Sequence, residues 1–130
     1  MNQTSMAPSA IILHARSRTL ELTFGDDESY VLPCEYLRVY SPSAEVRGHG
    51  TGQEVLQTGK LKVAITNIKP VGNYAVQLEF DDGHDTGIFS WDYLRQLGAK
   101  QAQWWQRYLE QIEAAGASRD PEVQVLTFDP

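Results

Sequence analysis

The sequence predicts an α+β fold: a small single domain with a mostly antiparallel sheet, duplicated strand-hairpin-helix units and a C-terminal helix packed on the sheet. Residues 72–98 combine strand alternation, a polar turn, a short apolar run and a helical apolar stripe. Residues 22–38 repeat that order. A chain of 130 residues with 42% hydrophobic residues is long enough for one core, and its length favours one domain.

The strand of the second unit is predicted from period-two alternation. One face carries Ala75, Gln77 and Glu79, and the other carries Tyr74, Val76, Leu78 and Phe80. A turn follows at residues 81–83, because Asp bonds its own backbone and Gly allows positive φ. A second short strand is predicted to begin at Gly87.

A helix is predicted directly after that strand. Ser90 is its expected N-cap, since a serine hydroxyl accepts from the first free backbone N–H groups. Trp91, Leu94 and Leu97 form its apolar stripe. Gly98 is predicted to end the helix, because glycine is the usual residue just past a helix C-terminus.

The two units align motif by motif. A Leu-x-Phe motif at residues 22–24 recurs at 78–80, and an acid followed by Tyr-Leu-Arg at 35–38 recurs at 92–95. The second copy has one additional residue in its turn. We interpret this as an internal duplication, which bears on architecture and does not by itself indicate a chemistry.

Shorter signals predict the other elements in order. Strands are expected to start at residue 11 and to span 19–24, 30–32 and 60–68, and helices are expected at 34–39 and 99–115. Residues 41–59 are irregular, because four glycines interrupt any pattern. A further short strand is predicted at 123–128. The expected organisation is a disordered lead-in over 1–10, a domain over 11–115 and a polar tail over 116–130.

Composition excludes several classes of protein. The net charge is −6 and the basic residues are scattered, which argues against a nucleic-acid binder. Apolar runs fall short of the ~20 residues of a membrane span, and the first ten residues do not resemble a secretory signal. One cysteine excludes an internal disulfide. We expect a cytoplasmic protein without a membrane or nucleic-acid partner.

His84 lies in a turn with three carboxylates, a group that could bind a metal or raise the imidazole pKa. A polar hairpin turn explains the same residues without an ion and is the favoured interpretation. His49 could join His84 only if the glycine-rich loop at 48–52 folds over the turn. The candidate ligand or partner residues are His84, Asp82, Asp85, His49, Glu45 and Arg38.

The glycine-rich loop itself has a simple explanation. It lacks a preceding buried strand and a Gly-Lys-Ser/Thr sequence, both of which a phosphate loop requires. We therefore predict a flexible connector, with a partner- or anion-binding loop as the less favoured alternative.

Arg38 and Arg95 occupy equivalent positions in the two units. Each is predicted to pair with the acid of the other unit, Asp92 or Glu35, across a pseudo-twofold axis. This structural interpretation ranks above an anion-binding pair of arginines.

The sequence contains no recognisable nucleophile–base–acid arrangement and no nucleotide fingerprint, so we predict no enzyme. Cys34 is expected to be half-buried beside Pro33, without the base that a catalytic thiolate needs. Trp104 and Trp105 are expected to pack on the sheet from a helical stripe. An indole left exposed there would mark a partner surface.

Five segments resemble one known family, the gamma-butyrobetaine hydroxylase-like N-terminal domain, also called domain of unknown function 971, in its stand-alone bacterial form. They are Leu-Pro-x-Glu-Tyr-Leu-Arg at 32–38, Ser-Pro-Ser-Ala-Glu-Val at 41–46, Gly-His-Gly at 48–50, Val-Gly-Asn-Tyr-Ala-Val at 71–76 and Asp-Gly-His-Asp-Thr-Gly-Ile-Phe-Ser-Trp-Asp-Tyr-Leu at 82–94. The resemblance covers residues 11–115 and implies a small α+β domain.

The resemblance also implies an accessory role. Relatives are fused to the N-terminus of iron- and 2-oxoglutarate-dependent dioxygenases, or to the C-terminus of P-loop ATPases of the iron–sulfur carrier type. In the dioxygenase branch, three cysteines and a histidine hold a structural zinc. The histidine corresponds to His84, but the cysteine positions are Ser41, Ser43 and Val46 here, so we expect no zinc and no other cofactor.

Three hypotheses of function follow, of which an enzyme with unrecognised chemistry is the least favoured. The first is a non-catalytic binding or adaptor domain, accessory to iron–sulfur cluster or iron-enzyme maturation, with iron–sulfur assembly proteins as its partners. The alternative is a metal- or small-ligand-binding protein that uses the region of His84 and His49.

Overall fold

A computed structural model describes residues 6–48 and 54–123. Within these ranges the chain forms two three-stranded antiparallel sheets, with strand orders β1-β2-β3 and β4-β5-β6, together with four helices. The elements are β1 Ala10–His14, β2 Thr19–Phe24, β3 Glu28–Pro33, α1 Cys34–Val39, α2 Ala44–Arg47, β4 Ile65–Val71, β5 Ala75–Phe80, β6 Gly87–Ser90, α3 Trp91–Ala99 and α4 Gln101–Ala114. The predicted α+β class is confirmed.

The duplication is visible in the pairing register. Leu20 pairs with Leu32 between β2 and β3, and at the equivalent positions Val76 pairs with Phe89 between β5 and β6. Each three-stranded meander leads directly into a helix, α1 after β3 and α3 after β6. The sequence repeat therefore corresponds to a repeat of structure.

Both units bury their apolar faces in one core. Leu22 of the first unit and Leu78 of the second have no exposed surface, and both belong to a single cluster of buried residues. The cluster also contains Leu37 of α1 and Leu94 of α3. Apolar area removed from water stabilises the fold at about 25 cal/mol per Å², and since the two units share this core, neither buries its face alone.

The start of α3 agrees with the prediction, but its end does not. The Ser90 hydroxyl accepts from the Tyr93 N–H at 3.1 Å, which confirms the N-cap. The predicted stop at Gly98 is wrong, because α3 continues to Ala99. Gly98 is needed for a close contact: a Cβ at this position would lie 2.4 Å from Cγ of Tyr30.

The predicted strand at residues 60–68 is shifted towards the C-terminus. Strand β4 starts at Ile65, because the backbone at Ala64 instead bonds to Asp81, the first residue of the β5–β6 turn. It then passes through Pro70, which an edge strand tolerates because no partner needs the missing N–H. Tyr74 precedes β5 and is exposed, so it does not share the buried face of that strand.

The irregular region at 41–59 contains one short helix, α2, whose N-cap is Ser43. Residues 49–53, which include most of the glycine-rich loop, lie outside the described residues. Cys34 is fully buried rather than half-buried, and this burial raises the pKa of its thiol. It is therefore an inert core residue.

The chain beyond α4 is attached to the domain as far as the structure describes it. Gly116, with φ of 65°, lies two residues after the end of α4. The Leu61 N–H then donates to the Arg119 carbonyl at 2.8 Å. The predicted strand at 123–128 lies outside the described residues beyond Val123. None of the helices in the described ranges is long and apolar enough to cross a membrane.

Candidate functional site

His84 is buried in the turn between β5 and β6, with 3% of its surface exposed. Its ring reaches the segment that follows α1. Nε2 lies 2.9 Å from Ser41 Oγ, and Nδ1 lies 3.1 Å from Glu45 Oε1. We call Ser41, His84 and Glu45 the His84 relay. Both ring nitrogens are engaged within the protein.

A neutral imidazole, with one N–H donor and one acceptor nitrogen, can make both hydrogen bonds of His84. An ionised carboxylate only accepts, so Nδ1–H donates to Glu45 and Nε2 accepts from the Ser41 hydroxyl. Burial lowers the pKa of His84, and the charge of Arg38 lowers it further against the opposing effects of Glu45 and Asp82. The neutral ring is therefore the form that the fold favours.

Ser43 and Thr86 extend the relay on its solvent side. The Ser43 hydroxyl accepts from the Glu45 N–H at 3.2 Å and lies 2.6 Å from Thr86 Oγ1. The Thr86 hydroxyl donates to Glu45 Oε2 at 3.1 Å. Hydrogen bonds from Thr86 and His84 lower the pKa of Glu45, which keeps this carboxylate ionised at neutral pH. The network fastens α2 to the β5–β6 turn.

The relay has the order of a nucleophile–base–acid arrangement, in which a carboxylate orients a histidine that bonds a serine hydroxyl. The sequence alone did not reveal this arrangement, because His84 lies 43 residues from Ser41 and 39 residues from Glu45. The hydroxyl is enclosed, however: Ser41 is 1% exposed, and a Cβ at Gly87 would lie 2.3 Å from Ser41 Oγ. A reacting carbonyl needs space about 3 Å from the nucleophile. In this conformation the relay is closed to substrate.

A charged cluster lies beside the relay. Asp82 Oδ2 accepts from Arg38 Nε at 2.8 Å and from the Lys60 ammonium, and Oδ1 accepts from the His84 N–H at 3.2 Å. Burial alone would raise the pKa of Asp82, but the bonds from Lys60, His84 and Arg38 outweigh it and lower the pKa to about 2. Arg38 and Asp82 therefore position the turn that carries His84.

The predicted exchange of arginine–acid pairs was wrong in its partners. Arg38 pairs with Asp82 rather than Asp92. Arg95 lies 3.2 Å from Glu28, and Glu35 instead receives two hydrogen bonds of 2.7 Å from Arg119. The partners differ because each helix arginine lies next to the turn or the start of a strand in the opposite unit, not next to its helix.

The other predicted site residues separate into distinct groups. Glu45 meets His84 as part of the relay, and Asp82 bonds the His84 backbone. Asp85 is exposed, and its backbone carbonyl accepts from Gln77. His49 lies outside the described residues, so the predicted approach of His49 to His84 stays a prediction.

The positions that hold zinc in the similar dioxygenase branch do not fit the metal in this chain. Ser41 and Ser43 join the hydrogen-bond network, while Val46 is buried with 7% exposure. Zn²⁺ binds thiolates and imidazoles in closed sets of four ligands. In residues 6–48 and 54–123, no group of three or more His, Cys, Asp or Glu side chains is placed to hold a metal ion.

A groove that Ser41 also lines opens next to the relay. We call it the aromatic groove. It has a volume of about 1120 Å³ and lies between the end of α1, α2, α3, α4 and residues 54–57. Its walls include Tyr40, Tyr93, Trp104, Tyr108, Arg47 and Arg107.

The two tryptophans contact aromatic side chains of the helices rather than a sheet alone. Trp104 lies 5.3 Å from the Tyr40 ring, and Trp105 meets Tyr36 edge-on at 6.2 Å. Both indoles are partly buried. Trp104 lines the aromatic groove, so an indole does mark a concave surface.

Several of these residues could not be identified from the sequence. Thr86 bonds to Ser43 across a separation of 43 residues, and Lys60 reaches Asp82 across 22. Arg47 and Arg107 lie in segments without a motif. No local pattern signals contacts of this kind, because they depend on how the two units pack.

Comparisons with known proteins agree with this structure. The family model described as gamma-butyrobetaine hydroxylase-like, N-terminal, matches residues 11–95. One solution NMR structure is 52% identical with a TM-score of 0.81, covering 96% of this chain and 98% of the other. A second is 47% identical with a TM-score of 0.76, covering 100% and 99%.

A crystal structure provides a further comparison. It is that of a protein of unknown function from Acidithiobacillus ferrooxidans, assigned to the DUF971 family. That protein is 40% identical with a TM-score of 0.62, covering 75% of this chain and 99% of its own. No functionally curated protein matched the chain.

Proposed function

The chain belongs to the gamma-butyrobetaine hydroxylase-like, N-terminal family, and we propose that it is a non-catalytic binding module that receives its partner in the aromatic groove. The observation that carries the proposal is the groove itself. It combines a volume of about 1120 Å³ with aromatic walls and two arginines. Concave, largely apolar surfaces with a few charged groups are typical of binding sites.

The state of the His84 relay supports a non-catalytic role. Ser41 is 1% exposed, and Gly87 packs closely against its hydroxyl. A working nucleophile needs room for a substrate and donors for the developing oxyanion. The relay instead fastens α2, whose last residue Arg47 forms part of the groove wall, to the β5–β6 turn.

The partner class that we propose is the machinery of iron–sulfur cluster or iron-enzyme maturation. It follows from the fusion contexts that the family resemblance implies. The groove supplies the surface on which such a protein would dock. The adaptor role thus combines a contact surface in this chain with a partner class from its relatives.

A site-specific crosslinking experiment tests this proposal. Gln111 lies in the aromatic groove, whereas Gln103 is exposed on the same helix outside it. A photoreactive amino acid placed at Gln111 in the native host is expected to capture an iron–sulfur or iron-enzyme maturation protein. The same amino acid at Gln103 is the matched control and should capture none.

A deletion strain gives the functional readout. We expect reduced activity of cluster-containing enzymes, restored by the parent chain. If Gln111 never captures a maturation protein and enzyme activity is unchanged in the deletion strain, the adaptor role is refuted.

The metal- or small-ligand alternative at His84 has one supporting observation, the approach of Glu45 and Asp82 to the imidazole. Against it, both ring nitrogens are already bonded within the protein. Metal analysis of untagged protein, with titration by Fe²⁺ and Zn²⁺, separates the two functions. Stoichiometric metal that is lost in H84Q would favour the alternative.

A further inference from the structure

The aromatic groove differs in charge from the rest of the molecule. The chain carries a net charge of −6. The described residues that line the groove nevertheless include two arginines, Arg47 and Arg107, against one carboxylate, Glu54. A local excess of positive charge on an acidic protein selects for negatively charged partners.

Both groove arginines are held over aromatic rings. The Arg47 guanidinium lies 4.8 Å from the Tyr93 ring centroid, and that of Arg107 lies 5.5 Å from Trp104. Stacking of this kind fixes the guanidinium plane and leaves N–H edges for a carboxylate. The groove arginines are therefore oriented before a ligand arrives.

Three arginines elsewhere in the molecule provide a contrast. Arg38, Arg95 and Arg119 each lie within 3.2 Å of a carboxylate. In residues 6–48 and 54–123, no salt bridge involves Arg47 or Arg107. Both are exposed, so their charges are accessible to a partner.

The apolar part of the groove extends beyond the arginines. Val55 is 53% exposed at its wall, and the partly buried Leu56 and Trp104 continue the same surface. The volume of about 1120 Å³ exceeds the roughly 300–1,000 Å³ of small-molecule pockets. A groove of this size suits several residues of a peptide chain.

We propose that the aromatic groove binds an extended acidic protein segment that also carries apolar side chains. Its carboxylates pair with Arg47 and Arg107, while its apolar groups pack on Trp104, Leu56 and Val55. This inference rests on the proposed binding function and names the chemistry of the partner. The positive charge of the groove favours acidic side chains in the partner, and the apolar wall favours apolar ones.

The test uses the full chain and three synthetic twelve-residue peptides. The first has three repeats of Asp-Leu-Glu-Phe, the second has Lys in place of each acid, and the third has Ser in place of Leu and Phe. Backbone and indole resonances are followed by NMR. We expect the first peptide to shift resonances of Arg47, Tyr93, Trp104 and Arg107, and the other two to bind at least about tenfold more weakly.

Charge-reversal variants test the role of the arginines. R47E and R107E are each expected to weaken binding of the first peptide about fivefold or more. Each variant replaces one attractive arginine–carboxylate pair with two repelling carboxylates. R16E has the same change in net charge on an exposed turn residue and should bind as the parent does. Equal weakening by R16E would overturn the proposal in favour of non-specific attraction.

Other outcomes would also overturn it. They are no shift of groove resonances, equal binding of the lysine peptide, benzoate binding as tightly as the first peptide, or a dimer of this chain that occupies the groove. If crosslinking at Gln111 still captures a maturation protein while the acidic peptide fails, the binding function stands and only the partner chemistry is wrong.

Discussion

Arg38 and Asp82 are joined by a 2.8 Å hydrogen bond that links the helix of the first unit to the turn of the second. A reciprocal contact of 3.2 Å joins Arg95 in the second unit to Glu28 in the first. The Arg38 side chain is only 8% exposed, so its charge depends on this partner. The duplicated units are therefore held together by exchanged arginine–carboxylate contacts as well as by the shared core.

Replacing Asp82 with Asn should destabilise the fold. The pKa of Asp82 is lowered from 3.8 to about 2, so the carboxylate contributes stability above pH 4 that is lost as the pH falls towards 2. After allowance for solvent screening, we expect D82N to lower the free energy of unfolding by about 1–3 kcal/mol at pH 7. Urea unfolding measures this.

The matched control for D82N is D85N, because Asp85 is exposed in the same turn. Surface changes of this kind stay within about 0.5 kcal/mol. The interpretation fails if D85N is as destabilising as D82N. It also fails if D82N loses as much stability as the parent does when the pH falls from 4 to 2.

The His84 relay predicts a pH dependence in the neutral range. Burial lowers the pKa of His84, so the unfolded chain, whose histidine titrates near ~6.5, takes up the proton first as the pH falls. The stability contributed by neutral His84 is therefore complete above about pH 6.5 and declines below it. We expect the advantage of the parent over H84Q to narrow from pH 7.5 to pH 5, measured by urea unfolding.

The exposed His14, which contacts Glu21, gives a matched control. In H14Q, the free energy of unfolding should still show the decline with falling pH that is attributed to His84. An advantage over H84Q that stays constant or grows towards acid pH would contradict the relay as described.

Substitution of Gly98 by alanine should change stability in opposite directions with and without the Tyr30 ring. A Cβ there would lie 2.4 Å from Tyr30 Cγ, so G98A should overpack the contact and cost about 1–3 kcal/mol. Without the Tyr30 ring the clash is gone, and alanine is a better helix residue than glycine by up to ~1 kcal/mol. In a Y30A background, G98A should therefore be neutral or stabilising by thermal unfolding. Equal destabilisation in both backgrounds would exclude the steric explanation.

The positions that correspond to the zinc-binding cysteines of relatives suggest a designed metal site. The family resemblance places three cysteines at Ser41, Ser43 and Val46, and Ser41 Oγ already lies 2.9 Å from His84 Nε2. The variant S41C/S43C/V46C is expected to bind one Zn²⁺ per chain through three thiolates and the imidazole. Atomic absorption and a chelator-dependent melting temperature measure this.

Two variants provide controls for the designed site. Adding H84Q to the triple variant should weaken zinc binding, and S41C/S43C alone should bind less tightly because a closed site needs four ligands. If the triple variant holds no more zinc than the parent, the correspondence of these positions to a zinc site is wrong.

Local patterns were sufficient for much of the fold. The alternation at residues 74–80, the Ser90 cap and the repeated Leu-x-Phe motifs predicted the α+β class and the duplication, because each depends on neighbours a few residues apart. The same reasoning failed at Gly98. There, the glycine serves a contact with a ring 68 positions away in the sequence rather than a helix end.

The amino-acid sequence by itself determined the two meander–helix units, their equivalence and the candidate importance of His84. Only the tertiary structure decided that Ser41 and Glu45 bond to the two ring nitrogens of His84. It also decided that Asp82 pairs with Arg38 and that two stacked arginines line a groove. The physical reason is distance along the chain. Hydrogen bonds and ion pairs between the units form only after the shared core fixes how the two halves pack.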